Sequence, residues 1–256
     1  MGKTRLGQHF LTDERVVEKE LCLAQLSPDD VVLEIGPGKG VLTKRLAKVC
    51  SQVIAVEIDK RLVEYLQNSL PENVLLIHHD IIDIDWNEIP SFNKVVANLP
   101  FQISSPFTFK LFTTHFEKAV LIYQKEFAKR MIASPGSEDY SRLSVGIAYK
   151  ACCRIVATIP PSSFSPPPEV SSCLVELTPH LNPPFHVIDE SFFFMITKLL
   201  FSHRRKQIKT ILNNSFSIDI PNNIMFASKR VETLTPEQIG MLSNELYSYK
   251  SYLPEN

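Results

Sequence analysis

Five short runs rich in β-branched residues, with helically spaced stretches between them, constrain this chain more than any other feature. They are "VVLEIG" (31–36), "QVIAVEI" (52–58), "VLLIHHD" (74–80), "KVVANL" (94–99) and "KAVLIYQ" (118–124). Helical spacing fills the intervals near 40–49, 60–70 and 105–114. Strands that are apolar along nearly their whole length, rather than at alternate positions, must be buried on both faces, and helices between them supply the cover. The expectation is an α/β fold with a doubly wound, mostly parallel sheet. Its ligands sit beyond the carboxyl ends of the strands.

The rhythm changes after residue 124. A helical stretch near 141–150 is followed by "CRIVATIP" and "VSSCLVELTP", which flank the stiff loop "PSSFSPPPE" and suggest an antiparallel strand added at one sheet edge. "TPHLNPPF" (178–185) reads as a linker, and helical spacing resumes to about residue 253. At 256 residues, the chain suits one main domain with an appendage, divided here as 1–184 and a small α-helical domain at 185–256.

The most apolar segment, "SFFFMITKLLF" (191–201), is too short for a membrane span and carries Lys198, so it is expected to be a core helix. The first ten residues lack an apolar signal region, and Leu6 breaks the myristoylation pattern. Five cysteines without a CxxC pair suit reduced thiols. These features predict a cytoplasmic protein. A formal net charge of -1 gives no global attraction to nucleic acid, so any such contact needs a local basic patch.

"EIGPGKG" (34–40) places three glycines at alternate positions between a strand and a helix. There the backbone can approach a ligand closely, beside the free N–H groups of a helix start. By itself this is a tight turn and no more, since it lacks the full dinucleotide spacing. Glu57, however, closes the next strand, where a carboxylate can accept from both ribose hydroxyls. Asp80 closes the third strand, where a carboxylate can accept from an adenine amine. Either acid could simply cap a helix, yet three strand ends in register outline an adenosine-shaped pocket. NAD and S-adenosylmethionine both contain adenosine, and the pocket does not choose between them.

The stretch "NLPF" (98–101) at the fourth strand end bears on that choice. Methyl transfer to the exocyclic amine of a base needs acceptors for the amine hydrogens, so that the nitrogen lone pair is turned toward the methyl group. The Asn98 side-chain oxygen and the Leu99 carbonyl could be those acceptors, Pro100 fixes the turn without a competing N–H, and Phe101 would stack on the base. Taken alone, the same four residues fit equally well with Asn98 capping the next helix and Phe101 entering the core.

Read in order, "LGQHFLTD" (6–13), "EIGPGKGVLT" (34–43), "VEID" (56–59), "NLPFQISSP" (98–106), "QKEFAKRM" (124–131), "YSRLSV" (140–145), "PPSSFSPPPEVSS" (160–172) and "FSHRRKQIKTIL" (201–212) span nearly the whole chain. This collinear set closely resembles the ribosomal RNA adenine dimethyltransferase family. The segment around Phe164 and the basic run are similar to its small-subunit branch.

The resemblance implies a Rossmann-like class I methyltransferase sheet with an antiparallel edge strand and a small helical RNA-binding domain. It implies S-adenosylmethionine as cofactor and dimethylation of two adjacent adenosines near the 3′ end of small-subunit rRNA, with a role in subunit biogenesis. His9 and Leu11 would contact the cofactor, Gly36 and Gly38 would form the loop at its methionine end, Glu57 would bind its ribose and Asp80 its adenine. Asn98 would orient the target amine, with Leu99 and Pro100 completing the turn, while Phe101 and Phe164 sandwich a flipped adenine. Many members have Tyr where this chain has Phe101, and Asn is common where His9 stands. The expected partner is small-subunit rRNA, with no metal, no membrane contact and a monomeric state.

"FSHRRKQIKTIL" places His203, Arg204, Arg205, Lys206 and Lys209 within two turns of an expected helix, with no acid among them. A charge run is commonly a solvated face. Here the missing acids favour a phosphate-contacting surface formed by Arg204, Arg205, Lys206 and Lys209, extended by Lys125, Arg130 and Arg142. A ribosome-assembly factor without transfer activity is a competing reading. Methylation of DNA or of a protein glutamine would favour a Pro-Pro-Tyr motif in place of "NLPF". An NAD oxidoreductase lacks a visible hydride-transfer constellation.

Overall fold

A computed structural model of the chain describes residues 8–216, 221 and 223–252. Leu6 and Gly7 of the amino-terminal motif, and residue 253 at the expected helix end, lie outside them. The chain forms two compact units. One comprises Met1–Ala128 and Cys153–Pro179, and the other Lys129–Cys152 and His180–Asn256.

In the first unit a two-residue strand, β1 (Phe10–Leu11), precedes helix α1 (Glu14–Ala24). There follow β2 (Val31–Ile35), α2 (Val41–Leu46), β3 (Gln52–Glu57), α3 (Lys60–Leu66), β4 (Val74–His78), β5 (Lys94–Asn98), α4 (Ser104–Leu111) and β6 (Lys118–Gln124). Next come α5 (Lys125–Met131) and α6 (Arg142–Lys150), then β7 (Ala151–Ile159), β8 (Phe164–Ser165) and β9 (Ser172–Pro179). Among the described residues the main sheet has seven strands in the order β4-β3-β2-β5-β6-β9-β7. β4 through β6 are parallel, and β9 runs antiparallel to β6 with Val120 opposite Glu176.

The expected fold is therefore the observed one, and its strand order reverses between β2 and β5, where such sheets bind ligands. β3 and β6 are buried through their middles on both faces, as their unbroken apolar runs required. β4 has no buried residue, with Leu75 and His78 exposed, because it is the sheet edge. Glu176 takes Lys118 Nζ at 3.3 Å and also pairs with Arg154, so one acid ties the three strands of the antiparallel edge. The core on one side of the sheet joins Val32, Val53, Val96, Val120 and Leu174 to Val17 of α1 and to Leu42 and Leu46 of α2. Asp13 starts α1 and Asp59 starts α3, each accepting from the backbone N–H two residues on.

The second unit contains α6, α7 (Glu190–Ser202), α8 (Ile208–Ser215) and α9 (Pro236–Leu246). Phe192, Phe193, Ile196 and Leu200 of α7 are buried while Lys198 is exposed, which makes the "SFFFMITKLLF" segment the expected core helix. No helix among the described residues is long and apolar enough to cross a membrane. The units divide differently from the expected boundary at 184/185. Residues 129–152 group with the helical unit because Tyr140, Val145 and Tyr149 enter its core. Tyr140 Oη donates to the Leu234 carbonyl at 2.8 Å, and the Tyr149 ring lies 5.1 Å from both Phe185 and Phe193.

The basic run departs from the expected helix. α7 stops at Ser202, residues 203–206 form a turn, Gln207 pairs with Arg230 in an isolated bridge, and α8 begins only at Ile208. From Ser202 to Gln207 no apolar side chain is available to hold a helical face against a core, so the chain leaves the helix there. Nor does the run lack an acidic partner. Arg204 Nε lies 2.9 Å from Glu232 Oε2, and Arg204 Nη1 donates to the Glu138 carbonyl at 2.8 Å.

Candidate active site

A cavity of about 420 Å³ opens at the carboxyl ends of β2, β3 and β5. It brings together the residues expected at the cofactor, namely His9, Leu11, Gly36, Gly38, Glu57 and Asp80, and those expected at the reacting base, Asn98, Leu99, Pro100, Phe101 and Phe164. Arg204, Arg205, Lys206 and Lys209 belong to the other compact unit.

The glycine loop needs its glycines for two separate reasons. Gly36 and Gly38 have φ of +67° and +59°, the left-handed region that a side chain disfavours. A Cβ on Gly38 would also stand 2.9 Å from Cδ1 of Phe10, so the loop backbone is the seat on which the amino-terminal arm packs. That arm is clasped from the far side. β1 pairs antiparallel with β8, Phe10 opposite Ser165 and Leu11 opposite Phe164, and Thr12 N–H donates to the Ser163 carbonyl at 2.8 Å.

His9 Nδ1 lies 2.8 Å from the Pro166 carbonyl oxygen, and its ring is 5.8 Å from Phe101. Gln8 Nε2 donates to Asp59 Oδ2 at 3.3 Å. The sequence motif marks the arm, but nothing local to it points to a pairing with β8.

Glu57 is buried, and backbone groups aim its carboxylate. Oε2 accepts from Gly38 N–H at 3.3 Å and Oε1 from Asp59 N–H at 2.9 Å. Burial pushes its pKa up, opposed by these hydrogen bonds. Each oxygen keeps a lone pair for a further donor. Asp80 caps no helix. Its Oδ1 accepts from Ile82 N–H at 2.8 Å within a turn.

Glu34, which in sequence reads as one more residue of its strand, also lines the cavity and is buried with Oε2 unpartnered. Burial raises its pKa to about 8, and the Glu57 carboxylate acts in the same direction. A lone acid inside an apolar strand run is the signal by which it could be found.

The "NLPF" turn does not fit the capping and core reading left open above. Asn98 caps nothing, since the 3₁₀ turn at Phe101–Ile103 and α4 both start without a side-chain cap. Asn98 Oδ1 is buried without a hydrogen-bond partner. Such an acceptor costs about 1–3 kcal/mol. Phe101 is half-buried at the cavity and is not a core residue, while Leu99 and Phe164 are buried. Pro100 sits against the glycine loop, with its Cδ 3.7 Å from where a Gly36 Cβ would be. One end of the cavity can thus cradle an adenosine, and Asn98, Phe101 and Phe164 line the same cavity.

Comparison with known proteins agrees with this geometry. The family description for ribosomal RNA adenine dimethylase matches residues 1–247. A Methanococcus maripaludis protein named "Probable ribosomal RNA small subunit methyltransferase A" is 44% identical over 257 residues, covering 95% of this chain and 97% of its own. A Methanosarcina mazei protein of the same name is 44% identical, covering 95% and 93%. Among solved structures, a dimethyladenosine transferase from Plasmodium falciparum superposes with a TM-score of 0.79 at 28% identity, covering 94% of this chain and 98% of that one. The 23S rRNA methyltransferase ErmE superposes at 0.66 with 25% identity, covering 93% and 99%. The chain belongs to the ribosomal RNA adenine dimethylase family.

Proposed function

We propose that this protein uses S-adenosylmethionine to dimethylate the exocyclic amines of two adjacent adenosines near the 3′ end of small-subunit rRNA, in the course of subunit biogenesis. The observation that carries the reading is the buried, unpartnered Oδ1 of Asn98 at the cavity. An unpartnered buried acceptor on a residue that lines the cavity calls for a partner, and a substrate amine would supply one.

The residues present fit the cofactor. Glu57 has lone pairs for ribose hydroxyls, Asp80 Oδ2 is free of bonds from the described residues, and Gly36 and Gly38 line the same cavity, where a methionine moiety would lie. When bound, the cofactor supplies an activated methyl group on a sulfonium. Asn98 Oδ1 and the Leu99 carbonyl accept the hydrogens of the target amine and so aim its lone pair. Phe101 and Phe164 hold a base that has been turned out of its stack. A monomethylated amine keeps one hydrogen, so the same acceptors serve a second round. Positioning of this kind contributes up to ~7–11 kcal/mol where geometry is well held. The methylated nitrogen becomes acidic as the new bond forms, so no strong base is required.

For RNA contact we assign Arg205 and Lys206, exposed on the 203–206 turn, together with Lys209; Arg204 fastens the turn through Glu232. The test is incubation of tritiated S-adenosylmethionine with under-methylated small subunits, followed by nucleoside analysis. Label in dimethyladenosine is expected. Label-free RNA would overturn the reading and leave only a binding role.

A further inference from the structure

Lys110 lies in the last turn of α4, and no part of the chemistry above uses it. It forms no ion pair among the described residues. Its Nζ instead donates to two backbone carbonyls, Ile82 O at 2.9 Å and Ile84 O. The same ammonium lies 5.3 Å from the centroid of the Trp86 ring. Trp86 is itself pinned, with Nε1 donating to Thr113 Oγ1 at 3.0 Å and that hydroxyl donating to the Lys110 carbonyl at 2.7 Å. Ordering a lysine side chain costs up to about 2 kcal/mol of rotamer entropy. A free surface lysine would not stay so constrained.

The carbonyls it holds belong to the turn that carries Asp80. Within that turn the N–H groups point the other way. Ile82 N–H donates to Asp80 Oδ1 at 2.8 Å, and the N–H groups of Asp83 and Ile84 donate to the Asp80 carbonyl at 3.1 and 3.0 Å. The Ile82 residue therefore links the two groups, with its N–H on the carboxylate and its C=O on the ammonium. Lys110 fastens the back of the turn while Asp80 and the buried Ile81 face the cavity from its front.

We propose that Lys110 is a positioning residue for cofactor recognition: through the 80–84 turn it fixes the Asp80 carboxylate so that Oδ2 meets the adenine amine, which makes it a determinant of nucleobase selectivity. The proposal rests on the reading of the cavity as an S-adenosylmethionine site.

Binding of S-adenosylhomocysteine to the full chain, measured by calorimetry, tests it, alongside an analogue in which hydrogen replaces the 6-amino group. Lys110→Met keeps an unbranched side chain of similar length and removes the donor. It is expected to weaken S-adenosylhomocysteine roughly tenfold, as expected for groups coupled in one network, to leave the deamino analogue within about twofold, and to raise KM for the cofactor with kcat nearly constant. In an Asp80→Ala background the same change should have no further effect. Thermal unfolding checks that each variant folds. If Lys110→Met does not, Lys110→Arg takes its place, and its loss of affinity must likewise vanish in the Asp80→Ala background. Equal losses for both ligands, a loss that persists without Asp80, or unchanged affinity would overturn the positioning role. Failure of the unsubstituted chain to bind S-adenosylhomocysteine would overturn the cofactor reading itself, and this proposal with it.

Discussion

Asn98 and Glu57 are both oxygen acceptors at one cavity, yet their surroundings separate their work. Glu57 already holds two backbone N–H groups, so it belongs to the ground-state architecture of the glycine loop. Asn98 Oδ1 holds nothing. In the proposed reaction its interaction comes only when a substrate amine arrives, and it matters most as that amine pyramidalises. Asn98→Ala is therefore expected to lower kcat by roughly 10²–10³, the size seen when one preorganised hydrogen-bonding group is removed, with cofactor affinity within a few-fold. Glu57→Ala should raise the cofactor dissociation constant by at least about tenfold, because it removes the proposed ribose acceptor and strands the Gly38 and Asp59 N–H groups. Steady-state kinetics and equilibrium cofactor titration on both variants check the division. Parallel changes in both constants for both variants would contradict it.

At the scale of elements, the clasp of β1 on β8 makes the amino-terminal arm part of the cavity wall, and Gly38 is where it seats. Gly38→Ala should cost both a strained left-handed backbone and a displaced Phe10 ring. The expected result is weakened cofactor binding, by about tenfold or more, with protease sensitivity appearing near residues 8–12; intact binding and unchanged proteolysis would show that the arm does not depend on the loop. The clasp also shows why parts of the site are legible in the sequence and others are not. "GPGKG" and "NLPF" carry their geometry in adjacent residues, so turn chemistry and strand periodicity suffice to place them. Thr12 and Ser163 meet across 151 positions, and no local pattern records that pairing. The 203–206 turn misleads for a related reason. Its cations are spaced like a helical stripe, but the acid that holds Arg204 is Glu232, 28 positions away. Arg205→Glu with Lys206→Glu should weaken subunit binding and flatten its salt dependence by about 0.7 in log–log slope for each phosphate no longer neutralised. An unchanged slope in a filter-binding series would remove the turn from the RNA surface.

On the whole molecule, the feature with the widest reach is a pair of buried acids. Glu20 of α1 is fully buried with neither carboxylate oxygen bonded, and Glu34 of β2 has Oε2 unpartnered. Burial raises the pKa of Glu20 well above 4.5, with the Glu34 carboxylate adding to it, and raises that of Glu34 from 4.5 to about 8. Both folded-state values lie above the unfolded one, so the folded chain binds more protons than the unfolded chain once pH exceeds 4.5. Stability associated with these groups is fully present below pH 4.5 and falls as pH rises toward 8, by about 1.4 kcal/mol per pH unit for each group that is neutral folded and ionised unfolded. Asp13 and Asp59 act in the opposite sense. Their side-chain bonds to Arg15 and Arg61 lower each pKa from 3.8 to about 2, so their contribution is present above pH 3.8 and is lost only as pH falls through about 2. Between pH 5 and 8 the two glutamates therefore lower stability as pH rises, and Glu57, also raised by burial, adds to the same slope. Glu20→Leu replaces an unpartnered acid with an apolar side chain of similar volume among Val17, Ala24 and their neighbours, and should stabilise the sheet unit. Its melting temperature should exceed that of the parent by more at pH 8 than at pH 5, because only at the higher pH does the parent suffer for keeping Glu20 protonated. Calorimetric scans of both proteins at the two pH values decide it: an equal gain at both would mean that Glu20 is not the group titrating, and a loss at both would mean that an interaction of the carboxyl, and not its burial, governs the site.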